Sequence, residues 1–430
     1  MKKASVVVLL LWSIGLLGQT NKKATPAEYI NWYTQLHAHP ELSGQEKSTA
    51  DFLKKNLQAW GYQLHDSLGF YSFAAVLKNG KGPTVLYRTD MDALPVKEQT
   101  NLPFASTVTA RKDGVDTPVM HACGHDAHMA TWLGVAQYMA QHPKSWKGTL
   151  VFLAQSAEEI GQGARQAIAP PNFKQLPVPN YQIAMHNHAD LAVGQVGFCN
   201  GYALAAVDMM NIIIHGKGGH GAVPQNAIDP IVLSAQFVGE IQTIVSRNLP
   251  PTESAVITVG AIHGGTIGNV IPDQVELKLT IRSFSPNARQ LILDRLKSIG
   301  DGLASAAGLA PNLWPEYKLL DMSIGPVFND AQLGEKVKKA LLSQEGATAA
   351  VAVDPVMIGE DFGMYRGNPA IPSYLFWMGT LTKASQEKYK TQNQKLPSLH
   401  SASFAPDYEA SLPFSIRAMT TALQALLAKN

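Results

Sequence analysis

The chain has 430 residues, of which 46% are apolar and 16% charged, with a formal net charge of +2. That length accommodates one large or two medium domains. The even charge balance, with no basic stripe and no block of like charge, excludes a nucleic-acid footprint and an acidic tail.

The opening departs from this texture. Met1-Lys2-Lys3 precedes an apolar run from Val6 to Leu17, which is too short and too abruptly ended to span a membrane. It reads as a secretory signal peptide over residues 1–20, with a mature start near 19–24. On this reading the protein is exported to the periplasm or medium and has no membrane segment once the leader is gone. No cysteine follows the run to take a lipid anchor.

Thr25-Pro26-Ala27-Glu28 has the form of a capping box with proline at the first helical position, and Ser43-Gly44-Gln45-Glu46 repeats it before a second helix. Strands are expected at 72–78 and 83–88, joined as a hairpin by Asn79-Gly80-Lys81-Gly82. A pattern then recurs, in which an apolar strand-like run ends in acidic residues or histidine. Val85 to Arg88 runs into Asp90 and Asp92, Leu150 to Ala154 into Glu158 and Glu159, and Tyr181 to Met185 into His186 and His188. Helical patterns between these runs predict an α/β sheet of mostly parallel strands, whose carboxyl ends are where ligands bind.

From about residue 205 the texture changes. Strands at 207–215, 253–263, 275–283 and 317–320 alternate with helices at 227–248 and 286–307, giving the ferredoxin-like β-α-β-β-α-β order. No cluster of ligand type lies there, so it reads as a lid domain, residues 204–313, inserted between the two parts of a catalytic domain, 21–203 and 314–430. Its edge strand would offer pairing to a second copy. After it come a helix at 330–343 capped by Asn329, a strand at 374–377, and a closing helix at 408–427.

The chemistry concentrates at Met120-His121-Ala122-Cys123-Gly124-His125-Asp126-Ala127-His128, just before a periodic apolar run that reads as a helix. A helix N-terminus favours a deprotonated thiol, and Cys-x-His spacing lets a thiolate and an imidazole reach one metal. The remaining candidate ligands are Glu159, His186 and His400. Five ligands exceed what one four-coordinate ion with an open position holds, so two divalent ions sharing a bridging group are the better count. Glu158 is then free to act as general base, because adjacent residues at a strand end point in different directions. The donor set suits Zn²⁺, and Mn²⁺ also fits it. The two cysteines, Cys123 and Cys199, are expected as free thiols, because a bridge would consume the softest ligand.

Several segments, in order, carry a resemblance that spans nearly all of the mature chain. They are His37-Ala38-His39-Pro40-Glu41-Leu42-Ser43, Arg88 to Pro95, Met120 to His128, Ala157-Glu158-Glu159 and His186-Asn187-His188. Gly216 to Gly221, Asn269 to Asp273, Gly359-Glu360-Asp361-Phe362 and His400-Ser401 follow. The chain resembles the di-metal aminoacylase and carboxypeptidase family of metallopeptidases, in the amidohydrolase branch of hippurate hydrolases and plant auxin–amino acid conjugate hydrolases. The resemblance implies a phosphorylase/hydrolase-like zinc-exopeptidase catalytic domain with a ferredoxin-like α+β lid. It implies two ions on Cys123, His125, Glu159, His186 and His400, with Glu158 as general base and acid. It also implies that His220, Asn269 and Arg282 of the lid hold the substrate carboxylate and the developing oxyanion. Ser156 and Ala402 depart from prolines usual in the family, which bears on loop shape rather than on any ligand.

The implied substrate is an N-acyl amino acid or a similar small conjugate. A carboxypeptidase or dipeptidase would use the same centre. A non-catalytic binding protein on this fold would lack a ligand or the base, and none is missing. Gly216-x-Gly218-x-x-Gly221 matches the dinucleotide fingerprint but sits in the lid without an acidic partner, and reads as a tight loop presenting His220. Asp90 and Asp92 read as carboxylates orienting ligand imidazoles, and His37, His39 and His128 as supporting residues.

Overall fold

The computed structural model describes residues 25–367 and 370–427, so the leader expected at 1–20 lies outside the described residues. Neither expected capping box forms. Helix α1 (Pro26–Ala38) has no side-chain cap from Thr25, and Glu28 instead accepts a hydrogen bond from Gln137 Nε2 at 3.3 Å. Helix α2 (Lys47–Ala59) is held from further upstream. The carboxylate of Glu41 accepts from the N–H groups of Ser48 at 3.1 Å and Thr49 at 2.7 Å. Ser43 and Glu46 are thereby left free to face inward.

Strands β1 (Gln63–His65), β2 (Phe73–Asn79) and β3 (Thr84–Asp90) follow, then α3 (His125–Gln141), β4 (Gly148–Gln155), α4 (Gly163–Ile168), β5 (Tyr181–Ala192) and β6 (Val196–Phe198). The hairpin expected between β2 and β3 is not there. Strand β4 inserts between them, antiparallel to β2 and parallel to β3. Gly82 marks where this happens, since a Cβ there would stand 2.8 Å from the carbonyl oxygen of Lys147 at the entry to β4. Two flanking strands and a glycine-rich turn look alike in sequence whether or not a third strand later separates them.

The lid supplies β7 (Ala206–His215), α5 (Pro230–Glu240), β8 (Ala255–Gly264), β9 (Gln274–Ser283), α6 (Pro286–Ala306) and β10 (Glu316–Leu319). Helix α5 ends at Glu240, and after an irregular turn the chain winds as a π-helix over Ile244–Asn248, so helical structure does reach 248 as expected, though not as one α-helix. The antiparallel order β8-β9-β7-β10 is the ferredoxin-like arrangement. Met210, Ile212 and Ile214 alternate with Val207 and Met209 along β7, and the first set is buried with Leu277, Leu279 and Phe237 under the two helices.

The chain then returns through α7 (Ala331–Glu345), β11 (Ala350–Ala352), β12 (Ser373–Leu381), α8 (Lys383–Thr391) and α9 (Tyr408–Leu426). Asp330, not Asn329, caps α7, accepting from Leu333 N–H at 2.8 Å. Asn329 is buried and spends its amide on Cys199 O and on Leu375. The large sheet runs β1-β2-β4-β3-β5-β12-β6-β11, with β4, β3, β5 and β12 mutually parallel at its centre. One face, carrying Phe73, Val85, Tyr87 and Phe152, packs under α1, α2, α3, α7 and α9. The other, with Val76, Leu86, Leu153 and Leu375, packs under α4 and the turn Asp361–Arg366. Each such large apolar side chain contributes roughly 1.5–3 kcal/mol by leaving water. Burial of both faces gives the continuous apolar runs of a parallel sheet. Among the described residues no helix is long and apolar enough to cross a membrane.

Candidate metal centre

Parallel strands place their carboxyl ends side by side, so Asp90 at the end of β3 and the polar residues beyond β4 converge at one edge of the sheet. The strand expected to stop at Met185 continues to Ala192, so His186 joins them from within β5, paired with Trp377 of β12. Leaving β4, the chain turns sharply. Ala157 adopts φ +57°, a left-handed conformation that costs a non-glycine residue on the order of 1–3 kcal/mol. The turn is held by donors on both sides of that residue. Ser156 N–H donates to Ser72 Oγ at 3.0 Å, Ala157 N–H to Glu46 Oε1 at 2.8 Å, and Glu159 N–H to Asp92 Oδ2 at 2.9 Å. The Ser156 that departs from the family pattern thus uses an N–H that proline lacks.

Opposite this turn, Gly124 caps α3 at φ +80°, where a Cβ would run into the Asn187 side-chain amide. That bend brings Cys123 and His125 to the same side. Cys123 Sγ lies 3.5 Å from His186 Nε2 and 3.3 Å from His400 Nε2. His400 Nε2 is 3.4 Å from Glu159 Oε2, and His125 Nε2 is 3.9 Å from Glu159 Oε1. The His400 loop is stitched to the cysteine segment by its own N–H, which donates to Ala122 O at 2.8 Å. Two triads result, Cys123–His125–His186 and Cys123–Glu159–His400, each with donor atoms within 4.8 Å of one another and with Cys123 common to both. Glu158 stands beside them, grouped with His125 and Glu159.

Whether these residues suit a cation is decided by what their atoms lack. His125 Nε2 and Glu159 Oε1 are buried with no hydrogen-bond partner. His125 Nδ1 is bonded to Asp92 O at 2.8 Å and His186 Nδ1 to Asn187 O at 3.0 Å, which orients each ring with Nε2 toward the cluster. That is how ligand imidazoles are normally held, and the donor set fits a pair of divalent ions. A rival group, Asp90–His125–His128, is already spent. His128 binds Asp90 Oδ1 through Nδ1 at 2.7 Å and accepts Asn187 N–H at Nε2 at 3.0 Å.

Among the protein's own groups alone, the thiol of Cys123 is held well above its ordinary value by burial, reinforced by Glu159, Glu158 and Asp90, against the pull of the helix N-terminus. Burial would lower His125, but Asp90, Asp92 and Glu159 outweigh it and push it up to about 10. Burial and then Glu360, Glu159 and Asp361 raise Glu158 well above the usual carboxylate range. Excess negative charge in a buried pocket is what a cation would relieve. Both cysteines are free. His121, the first histidine of the motif, is buried with neither ring nitrogen hydrogen-bonded and belongs to neither triad.

A cavity of about 590 Å³ opens onto the cluster. Cys123, Glu158, Glu159, His186 and His400 line one side, and Val207, Met209, Arg282, Met322, Ile324, Met357 and Ile358 much of the rest. Of the three lid residues the resemblance implies, Arg282 lines this cavity, with Nη1 donating to Met357 O at 2.7 Å. His220 and Asn269 do not. They lie next to each other, with Gly221 N–H donating to Asn269 O at 2.9 Å, but both are exposed and neither lines the cavity. The lid's paired segments Gly219–His220 and Val270–Ile271 contribute no lining to it within one chain.

Sequence reasoning left Arg88 without a role. It is buried, with Nη1 2.7 Å from Asp90 Oδ2 and Nη2 3.0 Å from both Glu360 Oε1 and Asp361 Oδ1. The signal was present: an arginine inside an apolar strand has to meet carboxylates.

A model of the peptidase family M20/M25/M40 matches residues 86–402. N-acetylcysteine deacetylase of Bacillus subtilis (strain 168) is 37% identical over 361 residues, covering 83% of this chain and 90% of its own. N-acetyldiaminopimelate deacetylase of Lacticaseibacillus casei (strain BL23) is 36% identical over 392 residues, 90% of this chain and 95% of that protein. A Bacillus subtilis structure described as a dinuclear metal binding peptidase of the M20 family superposes with TM-score 0.76 at 31% identity, over 94% of this chain and 98% of that one. Because the family model spans residues 86–402 and these relatives, at 36–37% identity, cover most of both chains, the chain belongs to peptidase family M20/M25/M40.

Proposed function

We propose that the protein is a di-metal amidohydrolase that cleaves N-acyl amino acids or related small conjugates. The observation that carries this reading is the pair of triads sharing Cys123, with Glu158 beside them and facing the same cavity. Cys123, His125, Glu159, His186 and His400 would hold the two ions, with zinc or manganese favoured by the donor set. When bound, such ions polarise a carbonyl and lower the pKa of a bound water. Glu158 takes the proton of the attacking water and returns it to the departing nitrogen, a shuttle suited to a carboxyl raised by its neighbours. Arg282 pairs with the substrate carboxylate, and the apolar wall of Val207, Met209, Met357 and Ile358 receives its apolar part. Closure of the lid about residues 200–205 and 312–315 would carry His220 and Asn269 toward the bound substrate.

The acylated amino acids named for the Bacillus and Lacticaseibacillus relatives support this substrate class. The competing reading is a carboxypeptidase or dipeptidase on the same centre. Dialysis against a chelator is expected to abolish turnover, and Zn²⁺ or Mn²⁺ to restore it. The restored enzyme should cleave N-acyl amino acids at least about tenfold faster than dipeptides with a free amino group, the low end of what one altered contact in a substrate pocket supplies. The reverse preference would establish the peptidase, and activity indifferent to chelation would remove the metal mechanism.

We further propose that the full-length chain is exported, on the strength of its charged and apolar opening residues. A second copy would pair along β8, the ten-residue outer strand of the lid sheet. Cell fractionation and sizing of the purified protein test the two readings, and an uncleaved cytoplasmic monomer overturns both.

A further inference from the structure

The segment Ser43–Glu46, a capping box by sequence, serves the catalytic turn instead. Glu41 caps α2, so neither Ser43 nor Glu46 is needed there. Ser43 Oγ donates to Asp92 Oδ2 at 2.6 Å, the same oxygen that accepts Glu159 N–H. Glu46 Oε1 accepts from Gly44 N–H at 2.9 Å and, across 111 residues of chain, from Ala157 N–H at 2.8 Å. Glu46 is wholly buried, and its second oxygen, Oε2, has no partner. A buried carboxylate with an unsatisfied oxygen weakens the fold, and unfavourable features of this kind collect where function needs them.

We propose that Glu46 is a positioning residue for Glu158: its carboxylate holds the strained Ala157 N–H and so fixes the direction in which Glu158 leaves the sheet. This rests on the assignment of Glu158 as general base. The left-handed turn at Ala157 has no glycine to make it easy. Without an acceptor on its N–H the turn would relax toward ordinary backbone and swing the next side chain away from the cluster. A displacement of about 1 Å at a catalytic group can cost around a hundredfold in rate.

The test uses the metal-loaded full chain, with kcat, KM, metal content and thermal midpoint measured for each variant. Glu46→Ala is expected to lower kcat by about 10–100-fold, with KM and metal content unchanged. Glu46→Gln, whose amide oxygen keeps the acceptor, should stay within about threefold of wild type. Adding Ala157→Gly to Glu46→Ala should recover about tenfold, since glycine takes positive φ without strain. If Glu46→Ala does not fold, Glu46→Asp, one methylene too short to reach Ala157, takes its place with the same expected loss. A loss of thermal stability with kcat unchanged overturns the proposal, as does a fall in kcat that tracks lost metal, or a Gln variant as impaired as Ala. Failure of the underlying assignment is visible separately, as a Glu158→Gln enzyme that still turns over.

Discussion

Glu158→Gln is expected to lower kcat by about 10²–10⁴-fold while KM and the metal content stay near wild type, the range general acid–base catalysis commonly supplies. The substitution is nearly isosteric, so the left-handed turn at Ala157 and its backbone hydrogen bonds are preserved. What disappears is a group able to take and return a proton. Glu159, one residue on, has its Oε1 and Oε2 directed at His125 and His400, and cannot replace it without leaving them. Burial and the carboxylates of Glu360, Glu159 and Asp361 raise Glu158, so it keeps a proton more readily than an exposed glutamate. Those are the conditions for protonating a leaving nitrogen. Substrate should still bind, because Arg282 and the apolar wall are untouched. Single-turnover measurement on the metal-loaded variant checks this, and a loss smaller than tenfold would move the base elsewhere. Loss of metal with the activity would instead make Glu158 a ligand.

Much of this site was legible before any coordinates. Cys123 and His125 declare themselves by spacing. Glu159 does so because a parallel sheet gathers the polar residues beyond its strand ends, a consequence of period and topology rather than of any single motif, whereas His186, expected just past a strand end, stands inside β5. His400 could be named as a candidate by residue type but not placed by any local pattern, since it lies in a loop with positive φ, fixed to Ala122 by one backbone hydrogen bond across 278 positions. The misreadings share a cause. Ser43–Glu46 and Asn79–Gly82 are short local patterns with a common local meaning, and in both cases a distant segment claims the groups that local structure would have used. Glu46 is taken by Ala157, and the edge of β2 is taken by β4. The lid residues His220 and Asn269 are a different case. Their proximity to each other follows from strand pairing, whereas their distance from the cavity depends on how the lid is carried, which no local pattern encodes.

Arg88→Met is expected to destabilise the fold by about 3–5 kcal/mol, the usual consequence of removing one partner from a buried ionic cluster. Methionine fills much the same volume, so lost packing explains little of it. Arg88 is 1% exposed and stands among Asp90, Glu360 and Asp361, with Nε also donating to Gln155 Oε1 at 3.1 Å. Gln155 Nε2 and Ala164 N–H donate to Asp361, but these are dipoles and cannot neutralise three carboxylates. Asp361 already sits up at about 7 through burial, with Glu360 raising it further and Arg88 only partly offsetting both. Removing the guanidinium takes away the charge that lowers Asp361 and pushes it higher still. A carboxyl whose folded value lies above its unfolded value favours the fold below the unfolded value, and that contribution is lost as pH rises through the folded one. The penalty should therefore be larger at pH 8 than at pH 5.5, where Asp361 can take up a proton. Urea unfolding of both proteins at the two pH values checks this. An equal penalty at both would mean that Arg88 contributes packing rather than charge, and that the carboxylates beside Glu158 are held apart by something other than this ion cluster.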